Sequence, residues 1–351
     1  MPARTGSRPY HEPVRSWASH PLAGFAIVLI AASLFGMLGP LSRFAYEAGM
    51  EPIPFVAWRA LIGALGTGAF VAWRIRRGGT RLVRMRDLAP GARVSLLVAG
   101  LTGLTLNLAM FIAFDRVTVA LALLGFYTYP AMVALVGVAL GRERLDRPKV
   151  VALSLATAGM IAVVAAQLDP AAGIRFDAVG FGLALGAAVS QCVFVIISRD
   201  GYRAVPTDQA MTFILLVTVV SCALLALATG GTAALAFPLG SPDVLPLVVF
   251  TGVFAAAIPS LAFLTGIRWI GGLRAGILML FEPVVGVALA AWLLAEGLQP
   301  IQVLGGGAIL AAALILQRSS TGIAAPTTTA PLERPAPVEE ESLTVRVPGG
   351  P

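Results

Sequence analysis

Two charged side chains lie inside long apolar segments of the sequence, Arg59 and Glu282. A full charge in hydrocarbon costs at least about 2.5–3.5 kcal/mol, so such a residue usually faces a polar interior and marks a candidate site. Arg59 could anchor a carboxylate or phosphate, or it could be a structural partner for backbone carbonyl groups. Glu282, which precedes Pro283, could bind a proton or an amine, or it could fix the packing of two helices through a hydrogen bond.

Further polar residues lie at related depths in other apolar segments: Asn107, Tyr127, Tyr129, Gln191 and Ser260. One constant offset along the chain aligns Asn107 with Ser260, and the same offset aligns Tyr129 with Glu282. Each residue alone could simply hold two helices together by a hydrogen bond. As a set, they predict one cavity that binds a substrate or forms its path.

Prolines inside the apolar segments predict hinges at Pro40, Pro130, Pro259 and Pro283, because proline lacks the N–H group that a helix needs. Close packing by small residues, including Gly36 and Gly39, is an equally open interpretation. Glu143 and Glu296 occupy matching positions at the ends of two apolar segments. We expect a structural role for both of them at these helix ends.

Residues suited to catalysis or metal binding are scarce. Cys192 and Cys222 lie in apolar segments and are interpreted as small apolar residues, and both histidines, His11 and His20, precede the first segment. Lys149 is the only lysine, and it follows no glycine-rich phosphate loop. The sequence therefore predicts no catalytic residue, metal site or cofactor, and it disfavours an ATP-driven pump, a membrane enzyme and a channel.

The elements that position these residues are membrane-spanning helices. Of the 351 residues, 58% are hydrophobic and 12% are charged, and the apolar residues cluster in blocks long enough to cross a bilayer. The blocks predict an all-α membrane protein with ten spans, numbered 1 to 10: 22–44, 53–73, 94–114, 118–140, 148–167, 178–198, 209–229, 244–267, 272–293 and 300–317.

The net charge of +7 comes from arginines in the short segments between alternate spans. This placement is typical of the cytoplasmic side of a membrane protein and argues against nucleic-acid binding. It predicts that both termini are cytoplasmic: a basic tail over 1–20 before an uncleaved first span, and a disordered tail over 319–351. Arginine in place of lysine indicates a bacterial protein, and hence the inner membrane of the cell.

The chain also repeats itself. Gly24-Phe25 aligns with Gly180-Phe181, and Pro130 aligns with Pro283, so spans 1–5 (21–167) correspond to spans 6–10 (178–318). Because each repeat has an odd number of spans, the two repeats must lie in opposite orientations. Inverted five-helix repeats around a central cavity are typical of secondary transporters, which expose a midplane site to each side in turn.

Both halves resemble the EamA-type domain of the drug/metabolite transporter superfamily. The stretches that carry the resemblance are "AFDRVTVALALLGFYTYPAMVALVGVALGRERLDRPKVVALSLATAGMIAV" in the first half and "GIRWIGGLRAGILMLFEPVVGVALAAWLLAEGLQPIQVLGGGAILAAALIL" in the second, with "PFVAWRALIGAL" for span 2. Ala295 departs from the usual glycine of the family, and the loop between spans 2 and 3 is unusually basic. The resemblance implies transport, often export, of amino acids, other metabolites or drugs.

These observations predict an exporter of amino acids, related metabolites or drugs that works by alternating access in the lipid bilayer. The alternative is an uptake or exchange carrier for an organic anion or a solute like a nucleotide sugar. Proton coupling through Glu282 is a hypothesis at this point. The sequence leaves the oligomeric state open.

Overall fold

The structure, a computed structural model, describes residues 21–168, 176–294 and 299–321. Within these ranges the chain forms helices and no β-strand. In this described part, ten helical segments are long and apolar enough to cross a membrane. The prediction of an all-α membrane protein with ten spans is therefore confirmed. Glu296 and most of both terminal tails lie outside the described residues.

The helices of the ten spans have the following bounds: Pro21–Gly36 and Leu38–Glu47 in span 1, Pro52–Arg76 in span 2, Pro90–Arg116 in span 3, Val119–Phe126 and Tyr129–Ala139 in span 4, Arg147–Ala165 in span 5, Ala178–Asp200 in span 6, Thr207–Thr229 in span 7, Val244–Gly252 and Ile258–Ile270 in span 8, Gly272–Met279 and Glu282–Leu294 in span 9, and Pro300–Thr321 in span 10. The last helix extends past the predicted boundary at residue 318. A short helix that the sequence did not predict, Gly231–Gly240, connects spans 7 and 8.

Local sequence explains where several helices begin. Prolines begin spans 2, 3 and 10, where the missing N–H group costs nothing. Span 6 begins with Asp177, whose carboxylate accepts hydrogen bonds from the Val179 and Gly180 N–H groups at 3.2 and 3.3 Å. The Arg116 guanidinium, 3.1 Å away, and these N–H groups hold the pKa of Asp177 below its usual value. This cap therefore stays charged at neutral pH.

Breaks interrupt spans 1, 4, 8 and 9, and a predicted hinge proline follows each break within a few residues. In span 8 the break is a π-helical turn over Val253–Ala257, directly before Ile258 and Pro259. The positions that correspond to Pro40 and Pro259 in the other repeat are Ile196 and Leu106, and their spans are continuous. Proline thus explains the location of the breaks, whereas motion at these sites stays a prediction.

The two repeats pack together in symmetric pairs. Span 2 packs against span 7, span 5 against span 10, span 3 against span 6, and span 1 against span 8. The repeat relation exchanges spans 1 and 6 and spans 3 and 8, so the last two contacts are equivalent to each other. Such pairing is expected of two inverted repeats.

Spans 5 and 10 approach most closely at two glycines. A Cβ atom on Gly159 would lie 2.5 Å from the carbonyl oxygen of Gly305, and one on Gly305 would lie 2.6 Å from that of Gly159. Only glycine fits at these two positions, because any side chain would push the backbones apart.

Candidate functional site

A cavity of about 180 Å³ lies between the two repeats. Spans 1 to 4 and spans 6 to 9 provide its walls, and none of the residues that line it comes from span 5 or span 10. The walls are mostly apolar and include six phenylalanines: Phe35, Phe111, Phe114, Phe126, Phe194 and Phe263. A concave apolar site with few polar groups is typical of small-molecule binding.

Six of the polar residues that the sequence singled out line this one cavity: Arg59, Asn107, Tyr129, Gln191, Ser260 and Glu282. Tyr127 does not line it. The Tyr127 side chain is buried, its hydroxyl makes no hydrogen bond that meets the geometric limits, and it lies within interaction range of the Glu282 carboxyl. The expectation of a shared cavity therefore agrees with the geometry, while the part of each residue in transport stays a prediction.

Arg59 is buried at the cavity wall and is held by three contacts. Its Nη1 donates to the Ala255 carbonyl oxygen at 3.1 Å, and its Nη2 donates to the Asn107 Oδ1 at 2.5 Å. The guanidinium also lies over the Phe111 ring, 5.3 Å from its centre. Asn107 is oriented in turn by a 2.8 Å bond from its Nδ2 to the Gly103 carbonyl. Arg59 Nε is enclosed by protein and makes no hydrogen bond.

The bond from Arg59 to Ala255 depends on Pro259. In an α-helix the Ala255 carbonyl would accept from the N–H group four residues later, and that residue is Pro259, which has none. The π-helical turn accommodates the proline, and Arg59 supplies the donor that the carbonyl lacks. The interpretation of Arg59 as a partner of a carbonyl is therefore correct, and the residue also faces the cavity.

Glu282 begins the second helix of span 9, just after the break at Leu280 and Phe281. At this break the N–H groups of Leu280 and Phe281 donate to carbonyls three residues back, at 3.2 and 3.1 Å, so the helix is locally tightened. Glu282 is half-buried and faces the same cavity as Arg59. The structure shows no ion pair between these two described side chains, although both line the cavity.

The prolines at the breaks of spans 4 and 9 also affect the backbone of the cavity wall. Pro130 cannot donate to the Phe126 carbonyl, and Pro283 cannot donate to the Met279 carbonyl. Phe126 and Met279 both line the cavity. Broken helices in corresponding spans thus leave two carbonyls of cavity-lining residues without their helical donors, and discontinuous helices are common at the sites of carriers.

Polar contacts between the repeats close the arginine-rich face, defined here as the face of the loops 77–89, 140–146 and 201–206. Arg199 Nη1 lies 2.7 Å from Glu143 Oε1, and Arg74 Nη1 lies 2.9 Å from Asp208 Oδ2. The side chains of Glu143 and Asp208 are 15% and 2% exposed. The predicted helix-end role of Glu143 is thus more specific in the structure, where this residue joins one repeat to the other.

The opposite face has a more exposed ion pair and a hydrogen bond from Trp58 Nε1 to the Leu235 carbonyl oxygen at 2.7 Å. There Arg116 pairs with Asp177 at 3.1 Å, and these side chains are 48% and 34% exposed. Leu38, Phe111 and Phe114 extend the cavity wall toward this face. The ion pairs between the repeats are therefore more buried on the arginine-rich face, whereas an apolar cluster that includes Phe55 and Val248 joins the repeats on the opposite face.

The sequence did not single out the aromatic wall or the pair Asp208 and Gln209. The phenylalanines gave no signal because they are equally common on lipid-facing surfaces. Asp208 and Gln209 did give a signal in the sequence, since they are two adjacent polar residues at the start of span 7. The structure shows that both are buried. Within the described residues, no group of three or more His, Cys, Asp or Glu side chains could hold a metal ion.

Comparison with known proteins matches the chain to the EamA-like transporter family over residues 22–165 and 178–318. The chain belongs to the EamA-like transporter family. The two matches fall on spans 1–5 and spans 6–10, so each repeat is one EamA unit, and the family is part of the drug/metabolite transporter superfamily. Membership makes the protein a membrane transporter of small solutes, and the family is not one of enzymes.

Solved structures share the fold of this chain. One crystal structure of a protein matches with a TM-score of 0.67 and 20% sequence identity, and the match covers 85% of this chain and 99% of that chain. At this identity the likeness concerns the fold alone. No curated protein matches the sequence.

Proposed function

We propose that this EamA-like transporter carries small zwitterionic metabolites, amino acids above all, by alternating access. The observation that carries the proposal is that Arg59 and Glu282 line one cavity without forming an ion pair. A ligand with one negative and one positive group would complement the Arg59 guanidinium and the Glu282 carboxyl, which lie in an apolar site without an ion pair to any described residue.

The contacts around each charge support this assignment. A carboxylate can bind the Arg59 guanidinium by competing with the Asn107 oxygen for Nη2. An ammonium group can bind Glu282 together with the carbonyls that Pro130 and Pro283 leave without helical donors. The phenylalanines of the wall suit an apolar or aromatic side chain on the substrate.

The size of the cavity bears on the alternative. At about 180 Å³ it is smaller than the roughly 300–1,000 Å³ of most ligand pockets, which favours an amino acid over a nucleotide sugar. A small organic anion remains the second candidate, because Arg59 alone could bind it. Sensitivity of transport to Glu282 separates the two.

Alternating access is supported by the symmetry of the fold. The cavity lies between two inverted repeats, and the ion pairs between the repeats are more buried on the arginine-rich face than on the opposite face. Exchange of these two arrangements would expose the cavity to the other side. We further propose export from the cytoplasm of a bacterial cell across its inner membrane, with both termini cytoplasmic.

The test uses purified protein in liposomes and counterflow of radiolabelled amino acids. We expect Arg59→Lys and Glu282→Gln each to reduce counterflow at least tenfold, because each removes one of the two charge-specific contacts. N-acetylated and decarboxylated analogues separate the contacts. Wild type should reject both, whereas Glu282→Gln should no longer discriminate against the N-acetylated one.

Glu51→Gln is the matched control, since it makes the same chemical change at an exposed position outside the cavity. If Glu282→Gln leaves counterflow intact while Arg59→Lys abolishes it, the substrate is an anion instead. The same Glu282→Gln protein tests proton coupling: acceleration of transport by an imposed pH gradient should be lost, and its persistence would refute the coupling.

A further inference from the structure

The loop between spans 2 and 3 carries a dense row of exposed arginines. Residues 76–86 are named here the basic loop, and its exposed cations are Arg76, Arg77, Arg81, Arg84 and Arg86. Other arginines next to it have structural partners: Arg74 binds Asp208, and Arg93 binds the carbonyls of Leu88 and Arg86 at 2.7 Å. The side chains of the exposed arginines are therefore not needed for the hydrogen bonds that shape the loop.

Their acidic partners are few. Arg86 lies 3.8 Å from Asp87, and both of these side chains are mostly exposed, so the pair is weak. Arg76, Arg81 and Arg84 have no ion pair to any residue that the structure describes. This surface thus presents several positive charges that no described part of the protein neutralises.

The basic loop is fixed in place. Gln209 at the start of span 7 donates from Nε2 to the Arg81 carbonyl at 2.7 Å, and its Oε1 accepts from the Val83 N–H group at 2.9 Å. Gln209 is buried, and its bonds cross from one repeat to the other. Because the backbone is held, little ordering entropy is lost when the arginines bind a partner.

Apolar side chains flank the charges. Trp73, in the last turns of span 2, is 48% exposed, and the Arg77 guanidinium lies over its ring at 4.7 Å. Leu82, inside the loop, is 60% exposed. Exposed tryptophan at the end of a membrane span, next to arginines, is typical of the level of the lipid headgroups.

We propose that the basic loop, with Trp73 and Leu82, is a binding surface for the phosphate groups of anionic phospholipids in the adjacent leaflet. The arginines supply the charge complement of the phosphates, while Trp73 and Leu82 enter the boundary between headgroups and acyl chains. This surface is separate from the cavity, so the proposal does not depend on the identity of the transported substrate. Through Gln209, a lipid bound here is connected to both repeats.

The test compares full-length protein in nanodiscs of phosphatidylcholine with and without phosphatidylglycerol. Each arginine near an anionic leaflet contributes about fivefold to binding, and salt screens this effect. We therefore expect Arg76→Gln/Arg77→Gln/Arg81→Gln to reduce the phosphatidylglycerol retained in native mass spectrometry by at least about tenfold. The thermal stabilisation that phosphatidylglycerol gives to wild type should also be lost.

Arg142→Gln/Arg144→Gln/Arg147→Gln is the matched control, because it removes the same charge from exposed positions on the same face. It measures the general charge effect, and it should lose much less phosphatidylglycerol than the basic-loop variant. Equal loss in both triple variants would show a general charge effect, and full retention in the basic-loop variant would also overturn the proposal. Displacement of the lipid by glycerol phosphate at equal concentration would assign the surface to free anions instead.

Discussion

At the scale of residues, the cavity shows how a missing backbone donor can position a charged side chain. Pro259 leaves the Ala255 carbonyl without its helical hydrogen bond, and Arg59 Nη1 donates to this carbonyl instead. Asn107 holds the other end of the guanidinium. The arginine therefore stays extended along the wall, and it does not turn away toward the surface.

Pro259→Ala tests this arrangement. Alanine restores an N–H group that can bond to Ala255, so Arg59 loses an acceptor, and the KM for a zwitterionic substrate should rise about tenfold for the loss of one charge-assisted bond. Discrimination against the N-acetylated analogue, which depends on Glu282, should not change. Counterflow in liposomes measures both quantities.

Pro238→Ala is the control, since Pro238 lies inside the short helix 231–240, away from the cavity. A rise in the melting temperature of Pro259→Ala with an unchanged KM would show that Pro259 acts only on helix stability. That result would also show that the contact between Arg59 and Ala255 does not contribute to substrate binding.

The sequence identifies Arg59 and Glu282 readily, because charges are rare in apolar spans. It does not predict that Asn107 is the partner of Arg59, since that depends on the distance between spans 2 and 3. It also treats Tyr127 and Tyr129 alike. The break at residues 127–128 separates their surroundings, so that only Tyr129 lines the cavity.

At the scale of elements, the helix ends on the arginine-rich face join one repeat to the other. Glu143 follows span 4, and Arg199 lies in the last turn of span 6. Lys149, at the start of span 5, approaches Glu143 to 3.5 Å as a second cation. A pair of this kind has to separate before the cavity can open to that face.

A double-mutant cycle measures the contribution of this pair. Glu143→Gln and Arg199→Gln should each favour opening of the arginine-rich face about fivefold, as a partly exposed ion pair contributes about 1 kcal/mol. The double variant should show no more opening than either single variant, because the interaction can be lost only once. The readout is labelling of Phe194→Cys with a maleimide in a background in which Cys192 and Cys222 are replaced.

Arg203→Gln provides the comparison, since Arg203 pairs with Asp200 at 2.9 Å within one repeat. It should leave the labelling rate unchanged. Additive effects of Glu143→Gln and Arg199→Gln would show that the pair does not control access. So would a rise in the labelling rate of Arg203→Gln as large as that of the two single variants.

At the scale of the whole molecule, the sequence predicts the ten spans and the repeat, because the length of the apolar blocks depends on composition and the repeat is visible in aligned residues such as Pro130 and Pro283. It does not predict the pairing of spans across the repeats. This pairing depends on side-chain shape at each crossing, and on buried polar residues such as Asp208 and Gln209, whose partners lie far away in the chain.

The orientation of the molecule has a direct test. Arg142→Cys on the arginine-rich face and Asp243→Cys on the opposite face are both exposed positions. In intact bacterial cells, an impermeant maleimide should label Asp243→Cys, and it should label Arg142→Cys only after permeabilisation, because arginine-rich loops stay cytoplasmic. The reverse pattern would place the termini outside.

The contact between Gly159 and Gly305 limits how the two halves can move. Because each glycine faces the carbonyl of the other with no room for a side chain, pulling spans 5 and 10 apart would open a gap that lipid must fill. Rotation about the contact keeps the two backbones together. If the repeats alternate as we propose, spans 5 and 10, which provide none of the residues that line the cavity, would act as a fixed pivot around which the walls tilt.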